Sequence, residues 1–381
     1  MENINKVIVS SCRKYDSEEI LKVLTTHIQK LNLFEKLKNS KKILIKPNLL
    51  GPHLPQEAVT THPEFLKAVI KLSKTQPDKQ IIVADSPSVL NFEEVVTKTG
   101  IKQVCQQEGV ELVNLSTYPT VDFEFNKFNL KKITISKIIK EVDFIINLPK
   151  LKTHSLTILT CAVKNMYGLV PGMTKSVYHK YAPHPKDFLE IVYAIYNHAR
   201  PDLTIVDGIL GMEGDGPAGG EVRNFGVVIS SIDALAVDWY ILKHILKVSY
   251  FSFYKSSQLK PAEIIYEHIE EPLQFKKIKL PKTISILSKF PSWILDILKN
   301  FIWFKPKIDK QLCVRCGKCY QICPQKTIKV VNKNFEIFYD NCIYCFCCQE
   351  TCPYKAIKTI RSPLYEFVLT IKDNLKQLLR W

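Results

Sequence analysis

The sequence predicts an α/β protein, a mainly parallel sheet with flanking helices, followed by a small α+β module dense in cysteine. Three observations predict it. Short apolar runs alternate with amphipathic helical patterns over the first 250 residues, and nine of the twelve cysteines crowd between Cys313 and Cys352. The length of 381 residues and an apolar content of 46% suit about two to three domains with a sizeable core.

In chain order, Lys6–Ser10 is a short β-rich run, and Asp16 with Glu19 forms a capping signature before the helical pattern Ser17–Leu31. Lys42–Ile45 (KILI) and Gln80–Asp85 (QIIVAD) are continuous apolar runs that do not alternate, which suits strands covered on both faces. Between them Pro63 stands at the start of the helical pattern Glu64–Thr75. Glu111–Leu115, Asp143–Leu148, Leu203–Asp207 and Gly226–Ser231 read as further strands, and Lys186–His198 and Asp233–Leu246 as further helices. The α/β domain is therefore expected over 1–250. Five prolines, Pro261, Pro272, Pro281, Pro291 and Pro306, punctuate a connecting segment, 251–306. The cysteine module follows at 307–360. In the last segment, 361–381, Leu364, Phe367, Val368, Ile371, Leu375 and Leu378 recur at helical spacing, as in an amphipathic helix packed on the body.

Lys plus Arg exceed Asp plus Glu by 53 to 37, a formal charge of +16 that attracts anionic partners. Metal-bound thiolates in the cysteine module would offset part of it. No aromatic-rich nucleic-acid module or zinc-finger spacing accompanies the charge, so nucleic acid is not an expected partner. The chain opens without a basic and apolar leader, and its longest apolar stretch, Trp293–Phe304, is interrupted by Asp296 and Lys299. A cytoplasmic, thiol-reducing location is the expectation, with no integral membrane span. The basic amphipathic Trp293–Phe304 run suits packing between domains, and peripheral membrane contact is its other use.

An internal repeat dominates the C-terminal part. Cys313-x2-Cys316-x2-Cys319-x3-Cys323-Pro324 recurs as Cys342-x2-Cys345-x2-Cys348-x3-Cys352-Pro353. A reducing compartment argues against disulfides, and the third and fourth cysteine of each run argue against paired zinc sites. Over about 50 residues the module resembles the bacterial-type two-cluster ferredoxin domain, in which the fourth cysteine of each run ligates the other cluster. The resemblance implies two 4Fe–4S clusters and one-electron transfer at low potential. It assigns Cys313, Cys316, Cys319 and Cys352 to one cube and Cys342, Cys345, Cys348 and Cys323 to the other. Three thiolates on one tight loop reach three corners of a cube, and the fourth corner needs a separate segment. Cys347 fits neither run and is expected as a buried spectator, while Cys12, Cys105 and Cys161 are expected as small core residues.

In open α/β sheets functional groups gather where strands end. There lie KPN (Lys46, Pro47, Asn48), THPE (Thr61–Glu64), DSP (Asp85, Ser86, Pro87), NLPKLKTH (Asn147–His154), CAVKNMYG (Cys161–Gly168) and DGILGMEGDGP (Asp207–Pro217). Taken in order, these segments are similar to the domain of unknown function 362 family over roughly residues 40 to 250, a family in which fusion to a C-terminal ferredoxin module is known. A more distant likeness, of fold alone, is to the nickel-dependent lactate racemases.

The residues themselves suggest a cationic pocket. Lys46, Lys150, Lys152 and Lys164, with His154, sit in or near strand-end loops and could receive a carboxylate or phosphate. Lys150, Lys152, His154 and Lys164 are the candidate catalytic residues, with His154 a general acid whose lysine neighbours push its pKa below 6.5. His179 and His184 fall in a Tyr/His/Pro/Lys-rich segment read as a loop that closes over a ligand. Asp207, Glu213 and Asp215 could hold an additional divalent cation or stabilise their own glycine-rich turn. The Gly214-x-Gly216-x-x-Gly219 pattern is no dinucleotide fingerprint, because Pro217 interrupts it and a strand follows.

These readings converge on an iron–sulfur oxidoreductase. Electrons would pass from a redox partner protein through two cubes to an anionic substrate or second cofactor at the strand ends. The alternatives are an electron-carrier subunit that docks a partner enzyme, and a cofactor or metallocluster maturation factor.

Overall fold

The computed structural model describes residues 6–74, 78–155, 157–248, 264–281, 301 and 303–367. The chain begins with β1 (Lys6–Ser11), α1 (Ser17–Lys30), α2 (Phe34–Asn39), β2 (Lys42–Pro47), α3 (Pro63–Ser73) and β3 (Gln80–Asp85). Then come α4 (Phe92–Lys98), α5 (Ile101–Gln107), β4 (Glu111–Asn114), β5 (Thr120–Lys127), β6 (Leu130–Ser136) and β7 (Phe144–Leu148). The site region holds β8 (Lys150–His154), β9 (Ile158–Thr160), α6 (Ala162–Asn165), α7 (Thr174–Tyr181) and α8 (Pro185–His198). The body closes with β10 (Leu203–Glu213), β11 (Glu221–Ser231), α9 (Ala234–Tyr240) and β12 (Ile265–His268).

The main sheet runs β12-β1-β11-β10-β7-β2-β3-β4, with β8 and β9 attached to β10. Pairing is parallel from β10 through β7, β2 and β3 to β4 and between β1 and β12, whereas β11 lies antiparallel to both β1 and β10. The continuous apolar strands are covered on both sides, as predicted. Leu44 and Ile82 enter one core while their neighbours Ile43, Ile45, Ile81 and Val83 enter the other, the period-two consequence of the pleat. The predicted cap of α1 is present, with Asp16 Oδ1 accepting from Glu18 N at 3.0 Å and Glu19 N at 2.9 Å.

Three sequence expectations need correction. Asn147–His154 is not a loop throughout: Lys150–His154 forms β8, buried at every position and paired with β10. Asp207–Glu213 likewise continues β10 and makes a long hairpin with β11. The small residues Gly208 and Gly211 permit it, since a Cβ there would meet Val227 O at 2.7 Å and Leu151 O at 2.4 Å. His179 lies in helix α7 rather than in a loop. Sequence reading also omitted the β5–β6 hairpin and the edge strand β12, which lies in the segment expected to be only connecting.

The C-terminal module contains β13 (Phe304–Ile308), α10 (Lys318–Ile322), β14 (Ile328–Val331), β15 (Asn334–Ile337), α11 (Cys347–Glu350) and β16 (Ile357–Arg361). Its strands pair antiparallel, β13 with β16 and β14 with β15. Val89 of the body packs into its small core, and Glu57–Lys355 at 3.3 Å and Glu94–Lys318 at 3.4 Å bridge the two parts. Most of the amphipathic run Trp293–Phe304 lies outside the described residues. Of the C-terminal amphipathic segment, Arg361 ends β16, 363–367 are helical, and 368–381 lie outside the described residues.

Candidate functional site

The strand ends carry buried charges, and each has a specific partner. At the end of β2, Lys46 Nζ lies 2.8 Å from Asp85 Oδ1 at the end of β3, both side chains almost inaccessible. Asp85 also accepts from Leu49 N and Ser86 N at 2.8 and 2.7 Å, so its charge is met from three directions. Burial pushes the Lys46 ammonium below its usual range, and Asp85 opposes that shift. Gly168 covers the pair without a side chain: a Cβ there would lie 2.4 Å from both Asp85 Oδ1 and Lys46 Nζ.

A second buried pair joins β8 to β10, where register sets Lys150 beside Asp207. Lys150 Nζ is 2.8 Å from Asp207 Oδ2 and 2.7 Å from Tyr15 Oη, and Tyr15 donates to Asp207 Oδ1 at 2.7 Å. Stacking on His62, with ring centroids 3.6 Å apart, locks the tyrosine in place. Asp207 is thus a structural counter-ion of Lys150. Glu213 pairs with Arg223 at 2.6 Å and Asp215 approaches Arg361 at 4.0 Å, so the three acids read either as a cation site or as turn stabilisers each lie beside a different base.

Lys152 differs from these. It is 0% exposed, yet among the described residues its amino group meets only neutral acceptors, Asn48 Oδ1 at 2.8 Å and Val59 O at 2.6 Å. Burial, reinforced by Lys164 and Lys150, lowers its pKa to about 7. Asn48 is held in turn by Asn165, whose amide nitrogen donates to Asn147 Oδ1 at 2.8 Å. Asp238 caps α6 by accepting from Ala162 N and Val163 N, and so aims Lys164 and Asn165 at the strand ends.

The next group reaches across to the cysteine module. His154 Nε2 lies 3.1 Å from Glu350 Oε1 and 2.8 Å from Lys164 Nζ. Burial and then Lys164 lower the His154 pKa to about 4, so the ring is neutral at pH 7. Burial alone would raise Glu350, but Lys164 and His154 outweigh it and hold this carboxyl well below the usual range. His179 stacks on Phe188 at 3.8 Å and burial takes its pKa to about 3, whereas His184 is exposed at the start of α8.

Between the two parts lies a cavity of about 130 Å³. Lys164, Lys175 and His179 line it from the body, and Cys347 and Glu350 from the module. Lys175 donates to Ser86 O, and burial lowers its pKa to about 7. Sequence reasoning missed Lys175, Tyr15 and Glu350. Lys175 has no local signal, because its helix reads as polar; Glu350 carries only its position between Cys348 and Cys352.

Cys313, Cys316, Cys319 and Cys352 line one small hollow in the module, and Cys323, Cys342, Cys345 and Cys348 line another. Thr327 N donates to Cys323 Sγ and Ala356 N to Cys352 Sγ, each at 3.3 Å. Among the described residues no three His, Cys, Asp or Glu side chains converge as they would on a single metal ion. Quartets spread around a hollow suit a polynuclear cluster with one iron at each thiolate. Cys347 lines the second hollow and also the interdomain cavity. Cys12, Cys105 and Cys161 are buried in the body.

Comparison with known proteins follows this division. The family model for the domain of unknown function DUF362 matches residues 43–243, and that for a 4Fe-4S dicluster domain matches residues 305–353. A thylakoid-associated protein of Synechocystis sp. is 31% identical over 242 residues, covering 62% of this chain and 74% of that protein. Among solved structures, the lactate racemase apoprotein from Thermoanaerobacterium thermosaccharolyticum aligns with a TM-score of 0.40 at 11% identity, over 61% of this chain and 55% of that chain.

Proposed function

The chain belongs to the DUF362 family and carries a C-terminal 4Fe-4S dicluster domain, and from that premise we propose that it transfers electrons to a molecule held between its two parts. On this reading Cys313, Cys316, Cys319 and Cys352 hold one 4Fe–4S cluster and Cys342, Cys345, Cys348 and Cys323 the other. The clusters supply one-electron transfer when bound. The observation that carries the proposal is the position of α11. This single helical turn contributes the ligand Cys348, and its residues Cys347 and Glu350 wall the interdomain cavity. Electron delivery and molecule binding thereby share one segment of chain.

The residues around the cavity have separable tasks. Lys46–Asp85 and Lys150–Asp207 fix the strand ends, and the module forms one wall of the cavity beside Lys46 and Asp85. Lys164, Lys175 and Lys152 bias the cavity toward negative charge. The eight thiolates belong in a reducing, cytoplasmic setting, and a redox partner protein supplies or takes the electrons.

The test is oxygen-free purification with reconstitution of iron and sulfide. About eight irons per chain and a signal bleached by a low-potential reductant are expected for two cubes. A colourless protein, or one whose iron content is untouched by Cys316→Ser and by Cys345→Ser, would end the proposal.

A further inference from the structure

We propose that the interdomain cavity binds a small doubly charged oxyanion, gripped by Lys164 and Lys175 with Lys152 behind them. The charge inventory leads there. Four lysines (Lys46, Lys152, Lys164 and Lys175) line the cavity, against two carboxylates, Asp85 and Glu350. Lys46 is neutralised by Asp85 at 2.8 Å, and Glu350 serves the Lys164–His154 group. Lys152 and Lys175 are left with carbonyl and amide oxygens as their acceptors. Two lysines in a partly enclosed space, without a carboxylate partner among the described residues, bear a desolvation cost that lowers their pKa to about 7 and that a bound anion would relieve by favouring their charged forms.

The hydrogen-bond inventory agrees. An ammonium has three N–H bonds to place. Lys175 uses one on Ser86 O, Lys164 contacts His154 Nε2, and Lys152 uses two on Asn48 and Val59. Donors therefore remain on each lysine, and those of Lys164 and Lys175 belong to half-buried side chains that border the cavity. Lys152, at 0% exposure, acts through its field rather than by contact. Among the described residues no carboxylate other than Asp85 and Glu350 lines the space to repel an incoming anion, and burial takes the His179 pKa to about 3. A cavity of about 130 Å³ limits the ligand to a few heavy atoms near the lysines. A short dicarboxylate and a phosphoryl group share the required chemistry.

The inference rests on the docked arrangement described under the proposed function, not on electron delivery, and the two can fail separately. Reconstituted full-length protein is titrated calorimetrically with malonate, inorganic phosphate and, as a singly charged control, acetate. Binding of malonate or phosphate with acetate at least tenfold weaker is expected, and the stronger of the two names the ligand source. Lys175→Met should weaken that binding about thirtyfold or more, the loss typical when one partner of a buried charge contact is removed. Lys175→Arg should retain most of it, and Lys98→Met on the surface all of it. A melting curve of each variant without anion separates loss of contact from loss of fold. No binding of either dianion, equal binding of acetate, or a Lys175→Met protein that is folded and binds as before overturns the inference. Dianion binding with clusters that resist reduction leaves this inference standing and removes the electron-delivery reading instead.

Discussion

Gly168→Ala is the smallest change that reaches the buried charge layer. Its Cβ would sit 2.4 Å from Lys46 Nζ and 2.4 Å from Asp85 Oδ1, whereas such atoms stay at least 3.0 Å from other heavy atoms, so the neighbours must retreat by about 0.6 Å or more. The ammonium and carboxylate cannot retreat together without parting, because Asp85 is pinned by Leu49 N and Ser86 N. Separating a buried pair costs about 3–5 kcal/mol. For a body of this size, that corresponds to a fall in Tm of about 6–20 °C. Calorimetric melting of the wild type, of Gly168→Ala, and of the same change in a Lys46→Met, Asp85→Asn background forms a double-mutant cycle. The penalty should shrink in the neutral background, where the side chains can shift freely. A Gly168→Ala protein melting within 1–2 °C of wild type, or a penalty of equal size in both backgrounds, refutes the account of Gly168 as the cover of this pair.

Lys150→Met should destabilise by about 3–5 kcal/mol by leaving Asp207 uncompensated, and adding Asp207→Asn should restore part of that loss in denaturant titration. His27 bridges Ser10 and Ser230 at 2.8 Å each, and burial lowers its pKa from 6.5 to about 3. The unfolded chain therefore binds a proton that the fold refuses, so stability falls as pH drops from 6.5 toward 3, by about 1.4 kcal/mol per pH unit for this residue. His27→Gln should flatten that part of the stability curve. Cys347→Ala should keep full iron content on reconstitution, whereas Cys352→Ala should lose iron from the site it shares with Cys313, Cys316 and Cys319; iron assay decides both.

The repeated cysteine runs were legible because their ligand spacing is local, and strands such as Gln80–Asp85 because a continuous apolar run is itself a local signal. β8 was not, since Leu151 is the one apolar residue in K-L-K-T-H and so polar a run reads as a strand-end loop. Its lysines are buried because Asp207, Asn48 and Val59 meet them from other segments, and no local pattern announces such partners. The same holds for Lys175 and Glu350, brought to one cavity from distant parts of the chain. His154 is legible as a strand-end residue, whereas its contact with Glu350 depends on the docked module.

The helical turn Cys347–Glu350 ties both proposals to one piece of backbone, because Cys347 and Glu350 border the interdomain cavity and Cys348 lies between them. If Cys348 ligates a cluster as proposed, that ligation restrains the turn and with it one wall of the cavity. Cluster-free protein should then bind the dianion more weakly than reconstituted protein does.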